Sequence, residues 1–329
     1  TMARNYRMLW WRHCLAIIGF SVIPLLFVNL SLYGLFDRIY TDKVTETLRT
    51  SVENRRAAID LFFNERIAQL FTIANTNTFA DLTDETYLGR LFEIMHTKSD
   101  SYMDIGIIDS EGNHLAYVGP YHDLLKSVNY KNEPWFNEVR AKGIHISDIF
   151  MGYRKFPHFI LAVMVRDKNT SWILRVTINL KNIDDIVEKA WTGTMSDAFL
   201  INSKNRLQTV PRFGGEFLAV PTVPQYTTSS LEPVPYPDFS STVKTKVERL
   251  SLRGYEAFIA ATPVQHTKWV LVLKESPDEI LSPLVKGKYW MALLTALGLA
   301  IIAAGAALFT NGLINRIRET DRENAAKSD

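Results

Sequence analysis

Four histidines, His114, His122, His145 and His158, fall in one stretch of the chain, so a metal centre is the first chemistry to weigh. A zinc-type site needs them at spacings such as HxH, HxxxH or HExxH, and none of these occurs. The single cysteine, Cys14, lies in an apolar run and can join no CxxC site or internal disulfide. Nucleophilic catalysis is no better served, because neither GxSxG nor SxxK is present. Gly214-Gly215 has no strand before it and no GK[ST] after it, so it is a loop pair rather than a phosphate cradle. Lys and Arg number 37 against 35 Asp and Glu, a net +2, which excludes a strongly basic nucleic-acid binder. No catalytic residue, metal or cofactor is assigned.

Two segments dominate the hydropathy. Residues 14–36 carry no charge and at 1.5 Å per residue reach about 34 Å, enough to cross a ~30 Å hydrocarbon core. The exit of this run offers no small-residue cleavage site, so it reads as a retained anchor. Residues 289–313 form a second uncharged run, opened by Tyr289 and Trp290 at interface height. Its Ala/Gly stretch, residues 300–307, suits close helix approach, either to a second copy or as simple filling of one span. Arg4, Arg7 and Arg12 precede the first run, and Arg316, Arg318, Arg322 and Lys327 follow the second. The positive-inside rule then puts both termini in the cytoplasm and residues 37–288 outside. The outer segment lacks cysteine, as a bacterial periplasm permits. Thr1 before Met2 and the polar end at Asp329 read as the limits of a fragment or a trimmed chain. The few residues after the second run are too short for a catalytic domain.

The outer segment opens with a stretch free of Pro and Gly, residues 39–78. Apolar residues at Val44, Leu48, Val52, Ile59, Phe62, Phe63, Ile67, Leu70, Phe71 and Ala74 fall on one helical face. The first half of this face is narrow, like a dimer stalk, and the second is broad enough to pack on a sheet. Strands are expected at 103–108, 114–118, 144–150, 159–166 and 172–178, with hairpin turns at 109–113 and 167–170. A short helix starts at Pro134 and ends at Gly143, and another covers 180–190. A second set follows at 198–201, 207–210, 243–251, 255–262 and 269–274, interrupted by a Pro/Thr/Ser-rich loop at 212–238. The fold class is α+β, with antiparallel sheets behind one long helix.

This order resembles the double Cache family of extracellular sensor domains: two tandem PAS-like modules on a long N-terminal stalk helix, flanked by two transmembrane helices. The marks are residues 59–66 through Ala74, Gly106 to Gly112, Asn129-Tyr130, Pro134-Trp135-Phe136 and Ile146-Ser147-Asp148. Tyr117-Val118-Gly119-Pro120-Tyr121 and the run from Arg154 to Phe159 further resemble the sensors of membrane histidine kinases. The implied organisation is a tail 1–13, spans 14–36 and 289–313, a stalk 37–78, a membrane-distal module 79–190, a membrane-proximal module 191–288, and a linker from 314.

The resemblance implies a small-molecule ligand in the distal module. Trp135 and Phe136 match the aromatic pair that amino-acid binders place against it, and Asp148 matches their ammonium-binding carboxylate. Asn179 stands where a second acid occurs. Tyr121, Tyr130, Arg154 and His158 complete the candidate set. Glu133 replaces the arginine that clamps a ligand carboxylate, so the cation must come from Arg154, Lys155 or Arg175, or the ligand is cationic or neutral. The structural alternatives are a core role for Trp135, a turn-capping Asp148, exposed loop tyrosines, and a surface ion pair for Arg154 and His158. The expected function is periplasmic ligand sensing in a bacterial inner-membrane homodimer, as the sensor portion of a two-component histidine kinase. A chemoreceptor or a diguanylate cyclase would share this half, and a structural two-span protein such as a polysaccharide chain-length regulator is the rival from another class.

Overall fold

A computed structural model describes residues 6–167, 170–189, 193–223, 234–252 and 254–326. The chain divides into two compact units, 45–279 and the two ends together, 1–44 with 280–329.

The described residues of the terminal unit are helical almost throughout. The first helix, α1, runs without a break over Tyr6–Thr76, carrying Pro24 inside it, so the first apolar run and the expected stalk are one element. The last, α8, covers Ser282–Ala326. Both are long and apolar enough to cross a membrane. Within this unit they run antiparallel. Trp10 donates to Asn311 (2.7 Å), Lys288 pairs with Asp37 (2.7 Å), and the Tyr40 hydroxyl donates to the Ile280 carbonyl (2.8 Å). Cys14, Ala306, Thr310 and Ile314 are buried, while Phe20, Phe27, Ile301 and Phe309 are exposed. An apolar exterior on such helices is the surface a bilayer covers.

The larger unit holds two antiparallel sheets. After α1 come α2 (Phe79–Thr83) and α3 (Glu85–Lys98). Thr78 and Asp81 form a capping box, and the Asp84 carboxylate accepts from Thr86 N–H (2.9 Å) to start α3. The first sheet comprises β1 (Tyr102–Asp109), β2 (His114–Val118), β3 (Ile144–Ile146), β4 (Phe159–Asp167) and β5 (Thr170–Ile178), in the order β2-β1-β5-β4-β3. Short helices α4 (His122–Leu125) and α5 (Pro134–Lys142) cross between β2 and β3. Pro134 opens α5, where its missing N–H costs nothing, and Gly143 closes it at φ 80°.

Helix α6 (Lys181–Glu188) leads to the second sheet: β6 (Asp197–Ile201), β7 (Lys246–Leu252), β8 (Tyr255–Pro263) and β9 (Val270–Glu275), in the order β6-β9-β8-β7. A one-turn helix, α7 (Pro277–Ile280), follows β9.

Three strand expectations are corrected. The strand expected at 144–150 ends at Ile146, because Ser147 bonds both backbone groups of Ile160 and the chain then turns away. Residues 207–210 make one bridge, Ile201 with Leu207; beyond it the Thr209 hydroxyl accepts the Leu200 N–H that a ladder would use. Among the described residues the second sheet therefore has four strands, and its strand expected at 243 begins at Lys246. The turn at 168–169, residue 190 and part of the 212–238 loop lie outside the described residues.

The narrow apolar stripe of α1 also has a use within one chain. Leu48, Val52 and Ile59 are buried, and the flanks of the stripe are tied to the second sheet's loops. Arg49 donates to the Thr245 carbonyl, and Asp60 accepts from Gln265 N–H (2.8 Å). Higher on α1, Arg66 donates to Ser99 and Ser101, and Phe63 packs between Phe159 and Trp269. One helix face thus backs both sheets. A period of 3.6 marks a face that is covered and not what covers it.

Candidate ligand site

The face of the first sheet that carries Ile108, Ile160 and Ile173 is covered by Tyr130, Trp135, Phe136 and Val139. Strand alternation puts Asp104 on β1 and Arg175 and Thr177 on β5 on that same face. Charged residues in the middle of apolar strands are costly unless they are paired. Here one carboxylate holds two guanidinium groups. One Asp104 oxygen accepts from Arg175 Nη2 (2.7 Å) and Thr177 Oγ1 (2.8 Å). The other accepts from Arg154 Nη2 (2.5 Å) and the Tyr117 hydroxyl (3.3 Å). All four of Asp104, Arg175, Thr177 and Tyr117 are buried, and the Arg154 side chain is 3% exposed.

The sequence around the cluster is shaped for it. Gly106 stands opposite Arg175 on the neighbouring strand, leaving space where a side chain would meet His114 and Tyr117. At Gly119 a Cβ would lie 2.4 Å from Asp104 Cβ, so the Tyr-Val-Gly-Pro-Tyr run passes only as glycine. Arg154 reaches in from the loop before β4, its guanidinium over the Tyr121 ring (5.5 Å). Its other nitrogen lies 3.1 Å from His158 Nε2, while His158 Nδ1 faces the Phe156 carbonyl (2.9 Å). Nε2 therefore accepts and Nδ1–H donates, which defines a neutral ring. Arg175 Nη1 donates to the Tyr130 hydroxyl (3.3 Å), and Tyr130 packs against Trp135 (5.2 Å between centroids). His114 lies between the rings of Tyr117 and Tyr130.

The charge balance is uneven. Burial works against ionised Asp104, but Arg175, Arg154 and the Thr177 hydrogen bond outweigh it and hold its carboxyl below the ordinary value of 3.8. Burial, assisted by Arg175, pushes His114 down to about 3. Burial likewise brings His158 down to about 4. Both histidines are neutral at pH 7, so two cations face one anion and the cluster carries a net positive charge. Among the described residues, Arg154 Nε, Arg175 Nε and both ring nitrogens of His114 are buried without a hydrogen-bond partner. Three of these atoms are donors, the two Nε–H groups and the single N–H of neutral His114, and beside a surplus cation they mark a place where an anionic acceptor gains binding energy.

The two histidines also set a pH dependence. An unfolded chain protonates them near 6.5, the folded chain only near 3 and 4. The unfolded state then binds more protons, so stability is full above about pH 6.5 and is lost as the pH falls toward 4. The expected slope is roughly 1.4 kcal/mol per pH unit for each histidine. Urea midpoints between about pH 7 and pH 5 check this, and His158→Gln is expected to remove about half of the slope.

Of the residues singled out by sequence, Tyr121, Tyr130, Trp135, Arg154 and His158 come together around this cluster. Phe136 is fully buried behind it, in the core beside Trp135. Two others are engaged elsewhere. Asp148 accepts from the Trp269 indole (2.9 Å) and the Asn202 amide (3.0 Å), tying the first sheet's loop to the second sheet. Asn179 accepts from Lys181 N–H (3.0 Å) at the start of α6. Asp104 and Thr177 were not among the candidates, Tyr117 entered only through the Tyr117-Val118-Gly119-Pro120-Tyr121 motif, and His114 only as a possible metal ligand. The signal for Asp104 was present in Met103-Asp104-Ile105, a single charge inside an otherwise apolar strand.

Two solved ligand-binding domains have a similar fold. The ligand-binding domain of the Pseudomonas fluorescens chemoreceptor CtaA, in complex with L-isoleucine, aligns at TM-score 0.56 and 12% identity, covering 74% of this chain and 97% of that domain. The ligand-binding domain of the Pseudomonas aeruginosa PAO1 amino-acid chemoreceptor PctC, in complex with GABA, aligns at TM-score 0.52 and 15% identity, covering 70% and 99%. A sequence comparison with curated proteins found no match. The Cache domain family, in its double form, matches residues 36–284, and with three quarters of its length inside that match this chain belongs to the family of extracellular double Cache sensor domains.

Proposed function

We propose that the protein senses a small molecule bearing a carboxylate, bound at the Asp104–Arg175–Arg154 cluster, as the input half of a two-span bacterial membrane receptor of the histidine-kinase type. The observation that carries the ligand class is the buried surplus of one positive charge with unsatisfied Arg154 Nε and Arg175 Nε. Glu133 stands where amino-acid binders of this family carry arginine, and Arg175 and Arg154 supply the cations from the sheet and from the opposite loop. L-isoleucine and GABA, the ligands of the two structural relatives, both carry a carboxylate, which agrees with this class. Tyr121, Tyr130 and Trp135 are the aromatic walls of the site.

In this reading residues 14–36 and 289–313 are the spans, both termini are cytoplasmic, and modules 79–190 and 191–288 stand outside as part of a homodimer. Two arginines sharing one aspartate have two arrangements: both on Asp104, or one turned to the ligand. A ligand that favours one arrangement shifts the population, with coupling of typically 1–3 kcal/mol. The histidine-kinase assignment rests on the Tyr117-Val118-Gly119-Pro120-Tyr121 and Arg154–Phe159 runs; a chemoreceptor output is the second reading, favoured by the fold relatives.

Transmission toward the second span passes α7. Glu279 accepts from the backbone N–H groups of Thr194 (2.8 Å) and Met195 (3.1 Å), and from the Thr194 hydroxyl. These bonds pin the segment leading to α8 against the loop before β6. Glu279→Ala is expected to leave ligand affinity unchanged while ligand-dependent output of the whole receptor falls severalfold. Calorimetry paired with a receptor phosphorylation assay checks it, and unchanged output with unchanged binding would remove α7 from the route. The ligand class is tested by titrating the full chain in nanodiscs with carboxylates and their amides: a carboxylate that binds at least about 30-fold more tightly than its amide supports it, and equal binding overturns it.

A further inference from the structure

The two sheets repeat one device. In the first, β5 lies between β1 and β4 and carries Arg175 on the face away from α1. In the second, β9 lies between β6 and β8 and carries Lys274 at the corresponding place, opposite Asp197 on β6 and Ile259 on β8. Lys274 shares its face with Val270 and Val272, which belong to the second core. The partnering differs. Arg175 is paired with Asp104, whereas Asp197 accepts from the backbone N–H groups of Arg212 (2.9 Å) and Phe213 (3.4 Å). Lys274 is 3% exposed, and among the described residues it donates no hydrogen bond and joins no ion pair. Its ammonium sits 4.7 Å from the centroid of the Phe213 ring and 5.8 Å from that of Tyr255.

A cavity of about 330 Å³ opens beside this ammonium, lined by Met195, Tyr255, Glu256, Lys274, Ser276 and Asp278 among others. That is the size of a small-molecule pocket, and its walls combine an aromatic ring, a thioether and one buried cation. We propose that the second module holds its own ligand site here, for a small organic monocarboxylate whose charge seats on Lys274 and whose apolar body lies on Tyr255 and Met195. Among the described residues no acceptor hydrogen-bonds this ammonium, though the Asp197 and Glu275 carboxylates attract it through space, and a ligand carboxylate gives it a charge-assisted hydrogen bond. Burial lowers the Lys274 pKa from 10.5 against the opposing pull of Asp197 and Glu275. Asp278 in the lining opposes a second negative charge on the ligand, which selects against dicarboxylates, while Glu256 is paired with Arg249 (2.6 Å). The cavity includes Ser276, Pro277 and Asp278, the joint between β9 and α7, so an occupant would bear on the same joint that Glu279 pins.

The test uses the full chain in nanodiscs with 13C-methyl methionine, the Met195 resonance being assigned with Met195→Leu. The probe is 4-bromobenzoate, with 4-bromobenzamide as its uncharged counterpart. The expected result is a saturable shift of the Met195 methyl with a Kd below about 1 mM for the benzoate, no shift with the benzamide, and loss of the benzoate shift in Lys274→Met with the other methionine signals in place. A Met195 signal that stays fixed, that follows the benzamide equally, or that still titrates in Lys274→Met overturns the site. Should Lys274→Met disturb the other signals, Ser276→Phe fills the cavity from its rim without removing the charge. Abolished titration in that variant supports the site, and wild-type titration overturns it. The readout is local to the second module, so it stands or falls independently of the Arg154–Arg175 site.

Discussion

Replacing Arg175 by Met is expected to destabilise the outer unit by about 3–5 kcal/mol, because removing one partner of a buried ion pair leaves the other uncompensated. Asp104 would keep Arg154 and Thr177 but lose its 2.7 Å contact at the centre of the sheet. It cannot recruit water there, being fully buried. Asp104→Asn is expected to be comparably costly, since it leaves Arg154 and Arg175 facing each other without the carboxylate between them. The double variant is expected to lose much less than the sum of the two, the mark of a coupled pair. Urea denaturation of the four proteins measures this coupling. Additive losses would mean that the three charges are energetically separate, and the surplus-charge argument for a ligand would go with them.

The second large effect concerns the ligand itself. A carboxylate placed against Arg154 and Arg175 meets two cations in a dry site, whereas its amide offers one neutral oxygen and buries two extra N–H donors. Losing one member of a buried, hydrogen-bonded charge pair costs about 2–5 kcal/mol of binding, which corresponds to roughly 30-fold to several thousandfold in Kd. The amide of any ligand that binds here is therefore expected to be at least about 30-fold weaker. Arg154→Met is expected to remove most of that discrimination, because it leaves Asp104 and Arg175 as a balanced pair. Arg154 comes from a loop rather than a sheet strand, so its loss is the milder change for the fold.

Much of the fold could be read before any coordinates. Hairpins announced themselves through Asp109-Ser110-Glu111-Gly112-Asn113, and α5 through Pro134 and Gly143, because turn and cap residues act locally. Helices α2 and α3 were left unread although Thr78, Asp81 and Asp84 are cap residues; α2 has only five residues, and α3 opens with Thr86, Tyr87 and Gly89, all poor helix formers. The shortened β3 depends on Ser147, whose hydroxyl takes a backbone group from a strand thirteen residues away, and no local pattern carries that. The site was legible in part. Aromatic residues and Arg154 stood out by type and motif. Arg175 was named as a possible source of the cation, but Asp104 was not, since a mid-strand charge shows its partner only once β1 and β5 are in register. Asp148 shows the opposite case: its position matched a ligand carboxylate, and its two oxygens each accept one bond, from Trp269 and Asn202.

The central claim is that the first sheet's buried cation surplus binds a carboxylate. Its most direct measurement is calorimetry of the full chain in nanodiscs, titrated with amino acids, aliphatic and aromatic carboxylates, and the matching amides, for wild type and Arg154→Met. The account predicts at least one carboxylate that binds wild type, an amide of it at least about 30-fold weaker, and a carboxylate affinity that collapses in Arg154→Met. A ligand bound equally well as acid and amide, or one indifferent to Arg154, would contradict it.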